Sequence, residues 1–365
     1  MKILNVIQCT NLGGMEQSNF LCCKGLKARG HSVEAVSLTT PGQMAPLMRE
    51  AGIPTTGIRY RGRAGWRAVP EMVRQFQRAD ADAVLVRGHN LAASLALAQN
   101  RAKRRILTIH YHHFESGKGR WRWNAIYRVA EQVFDHITFS SGYIREEALG
   151  IRPQLERRSS VLPNPINIPA QPSLPERMSA QERLGLAGGE LIVGNAGWLI
   201  ARKRFDVFLQ VAANVLKVRQ DVTFIIAGDG PERSVLWRLA ESLGISRKVR
   251  FLGWQSDLTD FYRAIDVLLF NTDFDALGRT PAEAAAYGVP VVASVVRGGL
   301  RELFRDGEGA VVLSEHNVEA LTAAVLALLG NPELRVAQGF RARRRVAAYG
   351  DIARHVRRVE QLLGV

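Results

Sequence analysis

Residues 163–175 dictate how the rest of the chain can be organised. They read Pro-Asn-Pro-Ile-Asn-Ile-Pro-Ala-Gln-Pro-Ser-Leu-Pro, with five prolines in thirteen positions. Proline has no amide donor and a fixed φ, so this stretch makes neither a helix nor a central strand. It reads as a linker that divides the 365 residues into domains 1–165 and 166–344, with a tail from 345 to 365. Both domains are of ordinary size for a single hydrophobic core.

Short apolar runs punctuate each half. On the N-terminal side Lys2–Cys9, Ser32–Leu38, Ala83–Val86 and Ile106–Ile109 read as strands, Glu16–Arg29 reads as a helix, and Val161–Leu162 ends the series. After the linker Leu191–Ala196, Thr223–Ala227, Val267–Phe270 and Val289–Ala293 read as strands, with a helix over Phe205–Val218. Strand, helix, strand in this order implies parallel sheets with right-handed crossovers. The expected fold class is α/β, with two Rossmann-like doubly wound domains facing across a cleft. Open α/β sheets bind ligands at the carboxyl ends of their strands, which favours an enzyme acting on a nucleotide-containing substrate. The tail carries Ile352, Val356, Val359, Leu362 and Leu363 at helical spacing.

The charge is unevenly spread. Residues 1–165 hold 24 Lys and Arg against 12 Asp and Glu, residues 166–340 hold 18 against 20, and the tail from 341 holds 7 against 2. The net charge of +15 is therefore concentrated in the first domain, which should face something anionic. With 47% hydrophobic and 23% charged residues, the chain is neither disordered nor of low complexity. The three cysteines, Cys9, Cys22 and Cys23, have neither disulfide-framework nor zinc-ribbon spacing, and a reducing compartment suits them. No apolar run approaches the roughly 18–20 residues that span a bilayer, and no signal peptide is expected at the start.

Four segments carry chemistry. Gly13 and Gly14, in Asn11-Leu12-Gly13-Gly14-Met15-Glu16, follow the first strand, where glycines permit close approach and the next helix offers free amides to an anion. Gly228-Asp229-Gly230-Pro231-Glu232 partly matches a dinucleotide turn, but Arg233 stands where a third glycine belongs, so a plain turn fits as well. Arg202, Lys203 and Arg204 lie just before a helix start, where cations are disfavoured unless an anion such as a diphosphate is bound. Asp275 and Glu283 are eight apart, with Gly278, Arg279, Thr280 and Pro281 between them. One acid is expected in a loop and the other on the following helix, flanking backbone amides. Acids bind sugar hydroxyls, and free amides bind phosphate.

From these motifs outward the chain resembles the retaining glycosyltransferases of family 4, which have the GT-B fold. That family carries a pattern like E-G-F-G-x-x-x-x-E-A-x-A-x-G-x-P-V-V-A. This sequence reads Asp275-Ala276-Leu277-Gly278, then Glu283-Ala284-Ala285-Ala286-Tyr287-Gly288-Val289-Pro290-Val291-Val292-Ala293. Gly13-Gly14-Met15-Glu16, Pro163-Asn164, Gly228-Asp229-Gly230-Pro231 and Phe251-Leu252-Gly253 follow in the family's order. The resemblance implies that Glu283 binds the donor ribose and that Asp275 touches the donor sugar. It implies that Lys203 neutralises the diphosphate and that Gly14 lies against the phosphates; Arg202, next to Lys203, is expected to stand in for the cation missing at Trp198. It further implies that Trp254 and Gln255 lie by the base, that His110 lies by the transferred sugar, and that the tail, 345–365, packs back on the first domain. The family usually has Glu at the position of Asp275 and Arg at that of Trp198.

The function implied is transfer of a sugar, with retention, from a UDP- or GDP-linked donor to a hydroxyl of a lipid-linked or phosphorylated glycan. Cell-surface polysaccharide or lipopolysaccharide synthesis is the expected setting. A nucleotide-sugar epimerase of the same fold and an inactive membrane-associated binding subunit are the alternatives. No cofactor or metal is expected. Asp273-Phe274-Asp275 is formally a D-x-D, but Lys203 and a helix start would do a metal's work. His110, His112 and His113, with Glu115, read as a polar active-site loop rather than a metal centre. Arg120, Trp121, Arg122 and Trp123, beside Lys118, mix cations with aromatics as membrane-facing helices do. RNA is the competing partner for such a segment, but no nucleic acid is expected. The expected location is the cytoplasm, at the inner face of the cell membrane.

Overall fold

The computed structural model describes residues 1–11, 13–60, 66–111, 119–186, 188–304 and 308–365. They form two compact units, Met1–Pro165 with Gly350–Val365, and Ile166–Tyr349.

The first unit runs β1 (Lys2–Ile7), α1 (Gly14–Ala28), β2 (Ser32–Ser37), α2 (Met44–Glu50), β3 (Thr55–Gly57), α3 (Val69–Arg78), β4 (Ala83–Arg87), α4 (Leu91–Leu97), β5 (Arg104–Ile109), α5 (Gly119–Val133), β6 (His136–Phe139), α6 (Gly142–Ile151) and β7 (Ser159–Val161). Its seven strands are ordered β3-β2-β1-β4-β5-β6-β7, all parallel. The order reverses direction between β1 and β4, which makes their carboxyl ends the switch point of a doubly wound sheet. β1 is buried at every position after Lys2, as a parallel strand covered on both faces must be.

The second unit runs α7 (Leu174–Arg183), β8 (Leu191–Ala196), α8 (Phe205–Val218), β9 (Val222–Ala227), α9 (Arg233–Ser242), β10 (Val249–Gly253), α10 (Thr259–Ala264), β11 (Val267–Asp275), α11 (Arg279–Ala286), β12 (Val291–Gly298), α12 (Leu300–Leu303), β13 (Ala310–Leu313), α13 (Val318–Gly330) and α14 (Pro332–Tyr349). Six parallel strands lie in the order β10-β9-β8-β11-β12-β13. One face packs Val193, Leu269 and Val292 under α8 and α13, and the other packs Leu268 and Ala293 under α10, α11 and α14. Both units are Rossmann-like, doubly wound parallel sheets, as the sequence leads one to expect.

Two expectations change. A helix over 345–365 is broken at Gly350, because Ala342 and Val346 stay buried in the second unit's core to the end of α14. The boundary therefore falls after Tyr349 and not after 344. Asp351 then caps a new helix, α15 (Ile352–Leu363), by accepting from the Arg354 amide. Its Val356, Val359 and Leu363 join Ile3, Cys22, Cys23, Leu26, Leu85 and Ile106 in the first unit's core. Glu360 accepts from Arg29 Nε at 2.7 Å and lies 2.8 Å from His31 Nε2, and Arg29 holds its carboxyl below the usual range. Asp275, expected in a loop, is the last residue of β11, because Phe274 and Asp275 continue the pairing with Arg297 and Gly298. Among the described residues no single helix is long and apolar enough to cross a membrane.

Gly339 lets α14 lie on the second unit, since a Cβ there would sit 1.9 Å from the Gly288 carbonyl oxygen. Gly339→Ala should cost about 1–3 kcal/mol in urea unfolding by overpacking. Gly330→Ala, where a Cβ meets nothing within 4 Å, should change stability by less than about 0.5 kcal/mol.

Candidate functional site

In the second unit the carboxyl ends of β8, β9, β10 and β11 carry the polar side chains. After β8 the chain passes Gly197 and Trp198, makes a short 3-10 turn at Ala201–Lys203, and enters α8 through Arg204 with a left-handed φ of 45°. The ends of β8 and β9 approach closely, for a Cβ on Gly228 would lie 1.9 Å from the Gly197 carbonyl oxygen. Lys203 donates from Nζ to Asp275 Oδ2 at 2.5 Å, and the Gly278 amide donates to Asp275 Oδ1 at 2.8 Å. Burial alone would raise the Asp275 carboxyl, but the Lys203 ammonium and these amides outweigh it and hold the group below its ordinary range. The Arg202 guanidinium donates to the Phe274 carbonyl at 3.3 Å.

Gly278, with φ 83°, turns the chain from β11 into α11. Glu283 sits one turn into that helix. It pairs with Arg279 at 2.5 Å and accepts from the Tyr262 hydroxyl at 2.7 Å. Burial, with Glu283 second, pushes the Tyr262 hydroxyl well above its usual value, so it acts as a donor. Thr280 donates to the Ala196 carbonyl at 3.1 Å and ties the start of α11 to the end of β8. Trp254 follows β10 and meets Trp198 edge-on at 6.1 Å, both exposed, while Gln255 donates to the Leu252 carbonyl at 2.9 Å. Lys203, Asp275, Gly278, Arg279, Thr280 and Glu283 thus surround the start of α11. The run of cations is offset by the protein's own acids, since Arg204 also pairs with Asp206 and Asp273. Among the described residues no group of three or more His, Cys, Asp or Glu is spaced to hold a metal ion.

The other expected residues lie in the first unit. Gly13 caps α1 with an extended backbone of φ −153°, so close approach rather than a special turn explains it. The carboxylate of Glu16 lies where a Cβ on Gly13 would be, and accepts from the Cys9 thiol at 3.1 Å. Gly14 begins the helix. His110 is 7% exposed, and neither ring nitrogen has a partner among the described residues. His112, His113, Glu115 and Lys118 lie outside the described residues.

Sequence reasoning missed the surroundings of His110. Strand alternation puts Asn5, Arg87, Thr108 and His110 on the sheet face that packs against α1 and α15. Buried Arg87 donates to Thr108 Oγ1 at 3.2 Å and to Cys22 Sγ at 3.0 Å, and faces no carboxylate among the described residues. His355 of α15 lies 2.8 Å from the Pro163 carbonyl through Nδ1. Burial first, and the Arg87 charge second, push both His110 and His355 down to about 3.

The aromatic segment divides. Arg120, Trp121 and Arg122 are exposed on α5, with Trp121 at 76%. Trp123 is not a surface anchor. It is buried against His89 at 4.4 Å and Tyr127 at 5.6 Å, because helical spacing turns positions 119, 123, 127 and 130 inward together.

Two family models match the chain. Glycosyl transferases group 1 matches residues 177–345, and Glycosyltransferase Family 4 matches residues 12–168. The chain belongs to the family 4 glycosyltransferases. The lipopolysaccharide core biosynthesis glycosyltransferase LpsE of Rhizobium meliloti is 33% identical over 144 residues, 40% of this chain and 41% of that protein. The D-inositol 3-phosphate glycosyltransferase of Mycobacterium marinum is 35% identical over 162 residues, 42% of this chain and 34% of that protein. The chain thus matches less than half the length of either relative. HepE of Anabaena, crystallised with UDP and glucose, gives a TM-score of 0.82 at 20% identity, over 100% of this chain and 99% of that one. That likeness is one of fold.

The buried histidines give a pH test. Unfolded, each ring takes a proton below about pH 6.5, whereas the folded rings stay neutral down to about 3. Their contribution is complete above about pH 6.5 and is lost as the pH falls, at about 1.4 kcal/mol per pH unit per ring. His355→Asn, which keeps a donor toward Pro163, should make the acid dependence of urea unfolding shallower by one proton between pH 6.5 and 5. An unchanged slope would mean that His355 is charged in the folded state.

Proposed function

We propose that this chain transfers a sugar, with retention, from a nucleoside-diphosphate donor linked to UDP or GDP. The observation that carries the reading is the set of groups around α11. Lys203 and the N-terminal end of α11 lie on either side of Asp275, and Glu283 stands one turn further on. A diphosphate gains charge as the glycosidic bond breaks. An ammonium and aligned amides stabilise that charge where it develops. Lys203 leads this role and Arg202 assists. Glu283 holds the ribose hydroxyls, Asp275 orients the donor sugar, and Trp254 and Gln255 meet the base. Within the first unit, Gly13 and Gly14 are assigned to an anionic group of the substrate, and His110, as a neutral ring, to a hydroxyl.

We read the reaction as metal-independent. Both acids of Asp273-Phe274-Asp275 already pair with cations, Arg204 and Lys203, which supports that reading. The acceptor is proposed to be a lipid-linked or phosphorylated glycan. In support, the first unit, with its returning tail, carries 27 Lys and Arg against 14 Asp and Glu. The names of LpsE and of the inositol 3-phosphate enzyme point the same way. Arg120, Trp121 and Arg122 are the proposed contacts with an anionic membrane at its cytoplasmic face. Trp121 offers the amphipathic ring and the arginines the charge.

A thermal-shift screen against UDP, GDP and ADP, with and without EDTA, tests the donor site. A ligand at about 100 times Kd should add roughly 2.7 kcal/mol. One nucleotide family should stabilise the protein, unaffected by EDTA. Lys203→Ala and Glu283→Ala should each weaken that nucleotide by roughly tenfold or more. His110→Ala should leave binding intact and lower turnover by roughly tenfold or more. Unchanged nucleotide affinity in both of the first two variants would remove the donor-site assignment.

A further inference from the structure

Asp273 has no contact with the donor in the reading above, yet it ends a directed chain of hydrogen bonds in the second unit. Asn271 on β11 stands opposite Ser294 on β12, and both are fully buried. The Asn271 amide donates to Ser294 Oγ at 2.8 Å. Ser294 Oγ lies 2.7 Å from His316 Nδ1, and His316 Nε2 lies 2.9 Å from Asp273 Oδ1. Each group is used once and in one sense when Ser294 donates to Nδ1 and Nε2–H donates to Asp273. A proton on Nε2, with Nδ1 as acceptor, satisfies both ring contacts.

What the chain holds in place is the outer acid of a pair. Asp273 and Asp275 are two apart on β11 and share one face of the strand. They meet successive cations of one loop. Asp275 pairs with Lys203 at 2.5 Å, and Asp273 with Arg204 at 3.4 Å. Arg204 is the left-handed residue between the 3-10 turn and α8, and its guanidinium is also held by Asp206 at 2.8 Å. The backbone position of Lys203 therefore depends on where Arg204 is held. Arg204 in turn depends on an Asp273 that is 45% exposed and would otherwise sample several rotamers.

We propose that His316 is a positioning residue for the donor's diphosphate. It aims Asp273 at Arg204 and so fixes the loop that carries Lys203. The inference rests on the donor-site reading and adds a residue that touches no substrate.

The test compares Kd for the nucleoside diphosphate that stabilises the wild type, UDP or GDP, with Kd for its monophosphate. The ratio isolates the second phosphate. His316→Ala should weaken the diphosphate about fivefold and leave the monophosphate within about twofold. His316→Gln, whose amide can still donate toward Asp273, should recover most of that loss. Asp273→Ala should match His316→Ala, and the double variant should cost no more than the larger single, as expected for residues that act through each other. Equal weakening of both nucleotides in His316→Ala, no weakening at all, or no recovery by Gln would overturn the proposal. Lys203→Ala separates the two levels. If it leaves the ratio unchanged, the donor site itself is misassigned. If it collapses the ratio while His316→Ala does not, only the relay fails. A wild type that binds neither nucleotide overturns both.

Discussion

Lys203 and Asp275 approach each other from two helix starts, the one just before α8 and the other just before α11. Neither charge stands alone. The ammonium also lies over the Phe270 ring at 5.0 Å, and the carboxylate takes the Gly278 amide. These extra partners matter because a partly buried ion pair gains little from Coulomb attraction unless its remaining hydrogen-bonding capacity is met. Once formed, the pair couples the loop after β8 to the end of β11 and to the turn into α11. Thr280 completes the tie by reaching back to Ala196. The position of Glu283 follows from that turn, so the side chains of the site share one mechanical origin.

Both sheets grade from apolar to polar along their strands. In the first unit Ile3, Ala83, Leu85 and Ile106 give way to Asn5, Arg87, Thr108 and His110. In the second, Val193, Leu269 and Val292 give way to Asn195, Asn271, Asp273 and Ser294. Parallel strands covered on both faces normally stay apolar throughout. Polar residues at one end weaken the core there, and in both sheets that end is the carboxyl end, where doubly wound sheets bind ligands.

Much of this was readable beforehand, and the reasons are physical. Pro163, Pro165, Pro169 and Pro172 mark the linker because proline has a fixed φ and no amide donor, whereas Pro175 sits in the first turn of α7, where an amide would be unpaired anyway. The strands β1, β2, β4, β5, β8, β9, β11 and β12 announce themselves as buried apolar runs. The strands β3, β6 and β10 do not, since they are three to five residues long and include polar positions such as Thr56, His136 and Arg250, and β13, although apolar throughout, is only four residues long. Helical spacing alone turns Trp123 inward with Tyr127 and Ala130, while the arginines beside it give the same segment the look of a surface face. Arg87 with His355, and Asp273 with His316, are juxtapositions across long stretches of chain, which only the folded sheet order brings about. The carbonyl-ward extension of β11 to Asp275 likewise depends on pairing with β12.

The return of α15 to the first unit has a consequence for how the chain is made. Ile3, Cys22, Leu26 and Leu85 leave the ribosome before the second unit is made, whereas Val356, Val359 and Leu363, which cover them, follow it. At roughly 5–20 residues per second, the unit synthesised first waits roughly 10–40 s for its final helix, while the second unit is produced and can fold. During that interval the α15-facing side of its core, including buried Arg87, is open to water. The first unit is thus begun before the second and completed after it.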